Sequence, residues 1–208
     1  MAKPIVFFDM DGVLTDFYGS VMEAFGRRKD QRFHPFPQKW NIWEHLGCTE
    51  KQFWDACRGT DFWANLDWCN GGHELLLAAE EAVGAENIYL LTSPSRDPGS
   101  YAGKYLWVEK HIPNYLSRLI LTSRKFLLAK GDRILIDDSD DNCKKFIEAG
   151  GNACIVPSPW NAAHAYCDSD PGQMAEKLFQ YLSHQAELID ERAREAEGQG
   201  EAHDDGAS

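Results

Sequence analysis

The stretch Ile5-Val6-Phe7-Phe8-Asp9-Met10-Asp11-Gly12-Val13-Leu14-Thr15-Asp16 decides the fold. Four apolar residues in an unbroken run, ended abruptly by acids, read as a short strand buried on both faces of a sheet. Asp9 and Asp11 then stand at the carboxyl end of that strand, and Gly12 lets the backbone turn sharply behind them. Two acids spaced by one residue describe, on their own, a solvated loop. Their place directly after a buried strand reverses that reading. An Asp side chain there can attack phosphorus and form an acyl phosphate. A second carboxylate can protonate the leaving oxygen and later deprotonate water.

The same profile recurs downstream. Residues 88–91 form an apolar run before Thr92 and Ser93, and Leu119–Leu121 precedes Thr122-Ser123-Arg124-Lys125. Residues 134–136 precede Asp137-Asp138-Ser139, and a fifth run, 153–156, is closed by Pro157. Between these runs the pattern shifts to helical spacing. One helix is expected over 74–83, stopped by Gly84. A second spans 104–111 before Pro113, and a third spans 141–149 before Gly150 and Gly151. Met174, Leu178, Tyr181, Leu182 and Ile189 stripe a last one. Strands alternating with helices predict an α/β fold, a Rossmann-like parallel sheet with helices on both faces. Ligands of such sheets bind beyond the carboxyl ends of the strands, where all these polar residues fall.

Residues 17–70 interrupt the alternation. Five of the seven tryptophans lie there (Trp40, Trp43, Trp54, Trp63 and Trp68), with no run of the buried-strand type. This predicts a small, mostly helical cap inserted after the first strand, leaving residues 1–16 and 71–190 as the core. Most of the cap aromatics are expected to pack; Phe17 and Trp63 are the candidates for stacking on a substrate ring. From Gln185 onward eight acids face two arginines, half of the net charge of −12. Residues 191–208 are accordingly expected to form a disordered acidic tail.

Neither the tail nor the body offers the clustered Lys and Arg that a nucleic-acid polymer demands. No apolar run reaches the roughly 20 residues that cross a bilayer, and the opening run meets Asp9 too soon for a signal-peptide core. The six scattered cysteines form no C-x-x-C pair and read as reduced, buried thiols. A cytoplasmic protein is expected. Its partners are a small phosphomonoester and, in a homodimer, a second copy of the chain.

The strand ends supply the chemistry. Hydroxyls of Thr92 and Ser93 suit phosphate oxygens. Lys125 can act as a cation clamp on developing charge, with Lys130 as a competitor near a turn. Magnesium favours an oxygen shell of one or two carboxylates, water and substrate phosphate. Asp9, Asp137 and the backbone carbonyl of Asp11 would suit Mg²⁺. Asp140 and Asp141 are better placed to open the next helix, whose dipole favours negative charge.

The order D-M-D-G-V-L-T-D, then T-S, then K, then D-D, each after a core strand, resembles the haloacid dehalogenase superfamily of phosphotransferases. The segment Lys104-Tyr105-Leu106-Trp107-Val108-Glu109-Lys110-His111, with Leu91-Thr92-Ser93-Pro94 before it and Leu121-Thr122-Ser123-Arg124-Lys125 after it, narrows the resemblance to the 5′(3′)-deoxyribonucleotidases. The resemblance implies Asp9 as nucleophile and Asp11 as general acid/base. It implies Thr92 and Lys125 as phosphate-holding residues with Ser93 and Lys104 as helpers, and Asp138 as an acid supporting the metal ligands. It places Phe17 near the nucleobase. The implied activity is Mg-dependent hydrolysis of nucleoside, above all deoxynucleoside, 5′-monophosphates through an aspartyl phosphate. Sugar phosphates or other small phosphomonoesters are the alternative substrates, and a non-catalytic scaffold of the same fold would show a degraded motif. Two departures stand beside the site: a longer stretch between Lys125 and Asp137, and Ser139 where the animal enzymes carry an arginine.

Overall fold

The computed structural model describes residues 3–29 and 40–204, with side chains through Glu195. Five parallel strands form one sheet in the order β3-β2-β1-β4-β5: β1 (Ile5–Phe8), β2 (Ile88–Thr92), β3 (Leu119–Leu121), β4 (Arg133–Asp137) and β5 (Asn152–Ile155). Val6 pairs with Ile88 on one side and Ile134 on the other, so β1 is central. The order reverses direction at β1, between β2 and β4. Such a reversal opens a crevice beyond the strand ends.

The unbroken apolar runs have a direct cause: each strand is covered on both faces. Val6, Phe8, Ile88, Leu90, Ile134 and Ile136 share one core with helices α5 (Gly72–Val83), α6 (Pro98–His111) and α8 (Pro171–Asp204). The intervening Phe7, Leu91 and Leu135 pack on the opposite face against Phe146 of α7 (Asp140–Glu148). Each buried side chain of this size contributes roughly 1.5–3 kcal/mol relative to exposure, so neither face can tolerate a polar residue cheaply. Polar groups therefore collect at the strand ends.

Between β1 and α5 the described residues carry four short helices and no strand: α1 (Phe17–Ala24), α2 (Ile42–Leu46), α3 (Glu50–Ala56) and α4 (Thr60–Ala64). Part of the expected cap, residues 30–39, lies outside the described residues. Local signals set these helices. Asp16 accepts from Gly19 N at 2.8 Å to open α1, and Thr49 and Gln52 form a reciprocal capping box on α3. The helical insert is tied to the core where α4 packs on α6. A Cβ on Gly103 would lie 2.4 Å from Trp63 Cβ and 2.6 Å from Thr60 O, so glycine sets this close approach.

Helix α8 continues to Asp204, well into the acidic stretch. Its Ala, Glu, Gln and Arg content favours helix, and an Arg194–Asp190 pair one turn apart supports it. No helix among the described residues is long and apolar enough to cross a membrane. All six cysteines are free thiols.

Candidate active site

Asp9 leaves β1 while its N–H still donates to Ile136 O at 2.9 Å, extending the ladder to β4. The chain then folds over itself: Val13, Leu14 and Thr15 N–H groups all converge on Met10 O, and Gly12 N donates to Thr15 O. Gly12 adopts φ +79°, a left-handed conformation natural to glycine. A Cβ there would meet Asp138 Oδ2 at 2.3 Å, so glycine also makes room for the acid from β4. The turn aims Asp11 back over the strand end, where Thr15 Oγ1 donates to Asp11 Oδ1 at 3.1 Å.

Two buried ammonium groups organise the acids. Lys104 of α6, fully buried, donates to Asp11 Oδ2 at 2.6 Å and to Thr92 Oγ1 at 3.1 Å. Its Nζ sits 5.0 Å from the Trp63 ring centroid. Lys125 donates to Asp137 Oδ2 at 2.6 Å and lies 2.8 Å from Asp9 Oδ1. The latter contact is an ion pair without hydrogen-bond alignment, for Asp9 Oδ1 is buried and accepts no well-formed hydrogen bond. Burial alone would push the Lys125 ammonium toward neutrality; Asp9 and Asp137 outweigh it and hold the proton more tightly than usual. Lys130 is exposed and pairs at 3.7 Å with Asp132, away from this network.

The acids also hold their protons more tightly than usual, which for a carboxyl favours the neutral form. Burial raises Asp11, Lys104 opposes that rise and Asp9 adds to it. Because 22% of the Asp11 side chain stays exposed, water tempers the effect. Burial also raises Asp137 against the pull of Lys125, and Asp138 is raised well above the carboxylate range by burial and by the charges of Asp137 and Asp9.

One oxygen each from Asp9, Asp137 and Asp138 lie within 4.8 Å of one another, all three residues buried. Three hard oxygen donors and the crowding that lifts Asp138 together fit a hard divalent cation. Hydrogen-bond accounting separates the two β4 acids. Asp137 Oδ1 accepts from Ser139 N and Asn142 Nδ2, and Asp137 Oδ2 accepts from Lys125 and Asn142 Nδ2. Two donors per oxygen use up its lone pairs. Asp138 spends only Oδ2, on Trp160 Nε1 at 2.7 Å. Asp138 is thus the better placed to give an oxygen to a cation, whereas the motif reading puts Asp137 in that role and Asp138 behind it.

A cleft of about 1360 Å³ opens over these groups, lined by Asp9, Asp11, Gly12, Ser93, Ser123 and Asp138 among others. Thr92, Lys104 and Lys125 are not on its surface; they sit one layer below, the two lysines in contact with the acids and Thr92 with Lys104. Ser93 does reach it, its hydroxyl donating to Thr122 O at 3.3 Å. Phe17 and Trp63 both line the cleft and stack on each other, centroids 5.2 Å apart at 14°. Each is almost wholly buried, so they offer the cleft an edge rather than a free ring face. Trp63 Nε1 is a buried donor with no acceptor among the described residues.

Four contributors escape the motif reading: Thr15, Asn142, Trp160 and Asn161. Asn142 has a recognisable signal, a polar residue in the helical turn directly after the paired acids. Trp160 and Asn161 have only a weak one, a tryptophan and an asparagine in the turn Pro157-Ser158-Pro159-Trp160-Asn161 after the last strand. The signature Lys104-Tyr105-Leu106-Trp107 is explained by the fold. Lys104 reaches Asp11, and Trp107 Nε1 donates to Leu66 O at 2.8 Å, tying α6 to the end of the cap.

Residues 3–185 match the family model described as 5′ nucleotidase, deoxy (pyrimidine), cytosolic type C protein. The chain is 31% identical over 151 residues to a mitochondrial 5′(3′)-deoxyribonucleotidase of Mus musculus, covering 65% of this chain and 64% of that protein. It is 30% identical over 156 residues to the cytosolic type of Homo sapiens, covering 67% and 73%. The chain therefore spans slightly less than two thirds of its mitochondrial relative. Among solved structures, a HAD family enzyme from Bacteroides thetaiotaomicron in complex with magnesium and inorganic phosphate is 18% identical with a TM-score of 0.42, covering 79% of this chain and 100% of that one.

Proposed function

Since the chain belongs to the family of cytosolic type C, deoxy (pyrimidine) 5′ nucleotidase proteins, we propose that it hydrolyses nucleoside 5′-monophosphates, deoxynucleoside ones by preference, with Asp9 as nucleophile. The observation that carries the reading is one connected set of charges at the ends of three adjacent strands: Thr92–Lys104–Asp11 on one side of Asp9 and Lys125–Asp137 on the other.

In the first half-reaction an Asp9 carboxylate oxygen forms a bond to phosphorus, and the bond from phosphorus to the sugar oxygen breaks. The departing oxygen takes the proton of Asp11, which becomes a carboxylate. In the second half, Asp11 takes a proton from water, the water oxygen attacks phosphorus, and the acyl phosphate releases Asp9 with inorganic phosphate. A carboxyl whose proton is held more tightly by burial suits the acid step, and the Lys104 contact limits that shift so that the base step stays available. Ser93 and the backbone of the turn after β2 are proposed to hold phosphoryl oxygens at the cleft surface, with the Thr92 hydroxyl, Lys104 and Lys125 fixing charge beneath them.

Mg²⁺, when bound, would neutralise charge between the nucleophile and the phosphoryl oxygens. Asp9, Asp138 and the Asp11 carbonyl are proposed to hold it, with Asp137 fixing Lys125. The nucleoside is proposed to rest against the edges that Phe17 and Trp63 present to the cleft. Catalysis is taken to be cytoplasmic.

The test is phosphate release, with magnesium, from a panel of deoxynucleoside, ribonucleoside and sugar monophosphates. Deoxynucleotides are expected to lead, and Asp9→Asn is expected to abolish release while remaining folded, with the circular dichroism spectrum of wild type. Turnover by Asp9→Asn would overturn the mechanism; equal rates on sugar phosphates would overturn the substrate assignment.

A further inference from the structure

We infer that Trp160 is a positioning residue that aims the Asp138 carboxylate at the cation site, an inference that rests on the metal reading proposed above. Trp160 belongs to none of the strand-end motifs and follows Asp138 by 22 residues, on the loop beyond β5. Its Nε1–H nevertheless donates to Asp138 Oδ2 at 2.7 Å. Trp160 lies on the cleft surface, its ring 5.7 Å from Tyr18 and 5.5 Å from Trp40 by centroid. An N–H fixed by that packing leaves one oxygen of Asp138 engaged and the other to turn toward Asp9.

The same turn grips Asp138 a second time. Asn161, 1% exposed, donates from Nδ2 to Asp138 O at 2.9 Å and to Val156 O at 2.8 Å. Its Oδ1 accepts from Ser158 N and Ala163 N, which locks the turn itself. Adjacent residues thus hold the side chain and the main chain of one acid. Gly12 completes the socket: a Cβ there would meet Asp138 Oδ2 at 2.3 Å and Trp160 Cζ2 at 3.2 Å. Partners of this kind, which orient a metal-binding group without touching the ion, change affinity by about 10–100-fold when removed.

Trp160→Phe keeps an aromatic ring, smaller than the indole, beside Tyr18 and Trp40 and removes the Nε1–H donor. Magnesium binding to the substrate-free protein is measured by calorimetry, and the metal-induced rise in melting temperature gives a second readout that survives a modest loss of stability. The expected result is affinity weakened about tenfold or more, with kcat close to wild type once magnesium is saturating. Unchanged affinity, or a lowered kcat with unchanged affinity, overturns the role of Trp160 and leaves the metal reading standing. Wild-type protein that binds no magnesium overturns both.

Discussion

Lys125 is a buried cation held between two buried acids, and Lys125→Met measures what that charge contributes. The ammonium is 2% exposed, 2.8 Å from Asp9 Oδ1 and 2.6 Å from Asp137 Oδ2. Methionine fills similar space and removes the charge, leaving two buried carboxylates facing each other. Removing one partner of a buried pair costs about 3–5 kcal/mol, a third or more of the total stability of many domains, about 5–15 kcal/mol. Urea denaturation in EDTA at neutral pH should show a loss in that range, and magnesium should return part of it by standing in for the lost cation. The pH dependence separates the contributors. A lysine whose proton is held more tightly in the folded state contributes fully below its ordinary pKa of 10.5 and loses that contribution only as pH rises through a still higher value. Between acid and neutral pH the Lys125 contribution is therefore constant. Any narrowing of the gap between wild type and variant on acidification belongs to the acids, which shed their repulsion by taking up protons. Asp137, raised above its ordinary 3.8, should start this convergence while the pH is still above that value. A loss below about 1 kcal/mol in EDTA, no more than a surface pair contributes, would refute the argument.

Gly12→Ala should cost about 2.5–5 kcal/mol, from about 1–2 kcal/mol of left-handed backbone strain plus about 1.5–3 kcal/mol for a displaced charged hydrogen bond at Asp138; wild-type stability in urea would contradict it. For Asp138, raised well above 3.8 by burial and by its neighbouring acids, the stabilising effect of the bound proton is fully present below 3.8 and is lost as pH rises through the higher folded value. Metal-free protein should therefore melt progressively lower from acid toward neutral pH, Asp138→Asn should flatten that trend, and magnesium should raise the melting temperature more at neutral than at acid pH. Thermal melts in EDTA and in magnesium check all three.

What was legible in the sequence follows from which interactions are local. The three inner strands could be read because two-sided burial leaves uninterrupted apolar runs such as Ile5–Phe8, and the polar residue ending each of them had to fall at the carboxyl edge. Asp9, Asp11 and Asp137 could be located for the same reason. The division of labour between Asp137 and Asp138 could not. It depends on Asn142 filling both oxygens of one acid and on Trp160, brought in from beyond β5, taking one oxygen of the other. Those partners are set by tertiary packing, and nothing in an adjacent pair of letters ranks them. The depth of Lys104 was equally hidden. On a helix that also exposes Tyr101 and Tyr105, the rotation that buries Lys104 is fixed by Gly103 lying against α4.

The charge on the cleft shows why these buried partners matter. Its surface carries the acids Asp9, Asp11 and Asp138 at the strand ends and Glu50, Asp55, Asp97, Asp140 and Asp141 around them, against Lys51, Arg58 and Arg96. Lys51 and Arg58 already face Asp55. An anionic phosphomonoester approaching that surface meets net repulsion at a range where salt screens only part of it. Besides Arg96, the cations able to offset it sit below the surface, in Lys104 and Lys125, and those two are spent on carboxylates in the substrate-free protein. A divalent ion held by Asp9 and Asp138, beside Asp137, would change that balance by adding positive charge where the acids crowd. On this argument magnesium serves binding as well as chemistry. Inorganic phosphate, which inspects the charge without the reaction, should bind measurably with magnesium and poorly in EDTA; equal affinity in both would show that the lysines alone suffice.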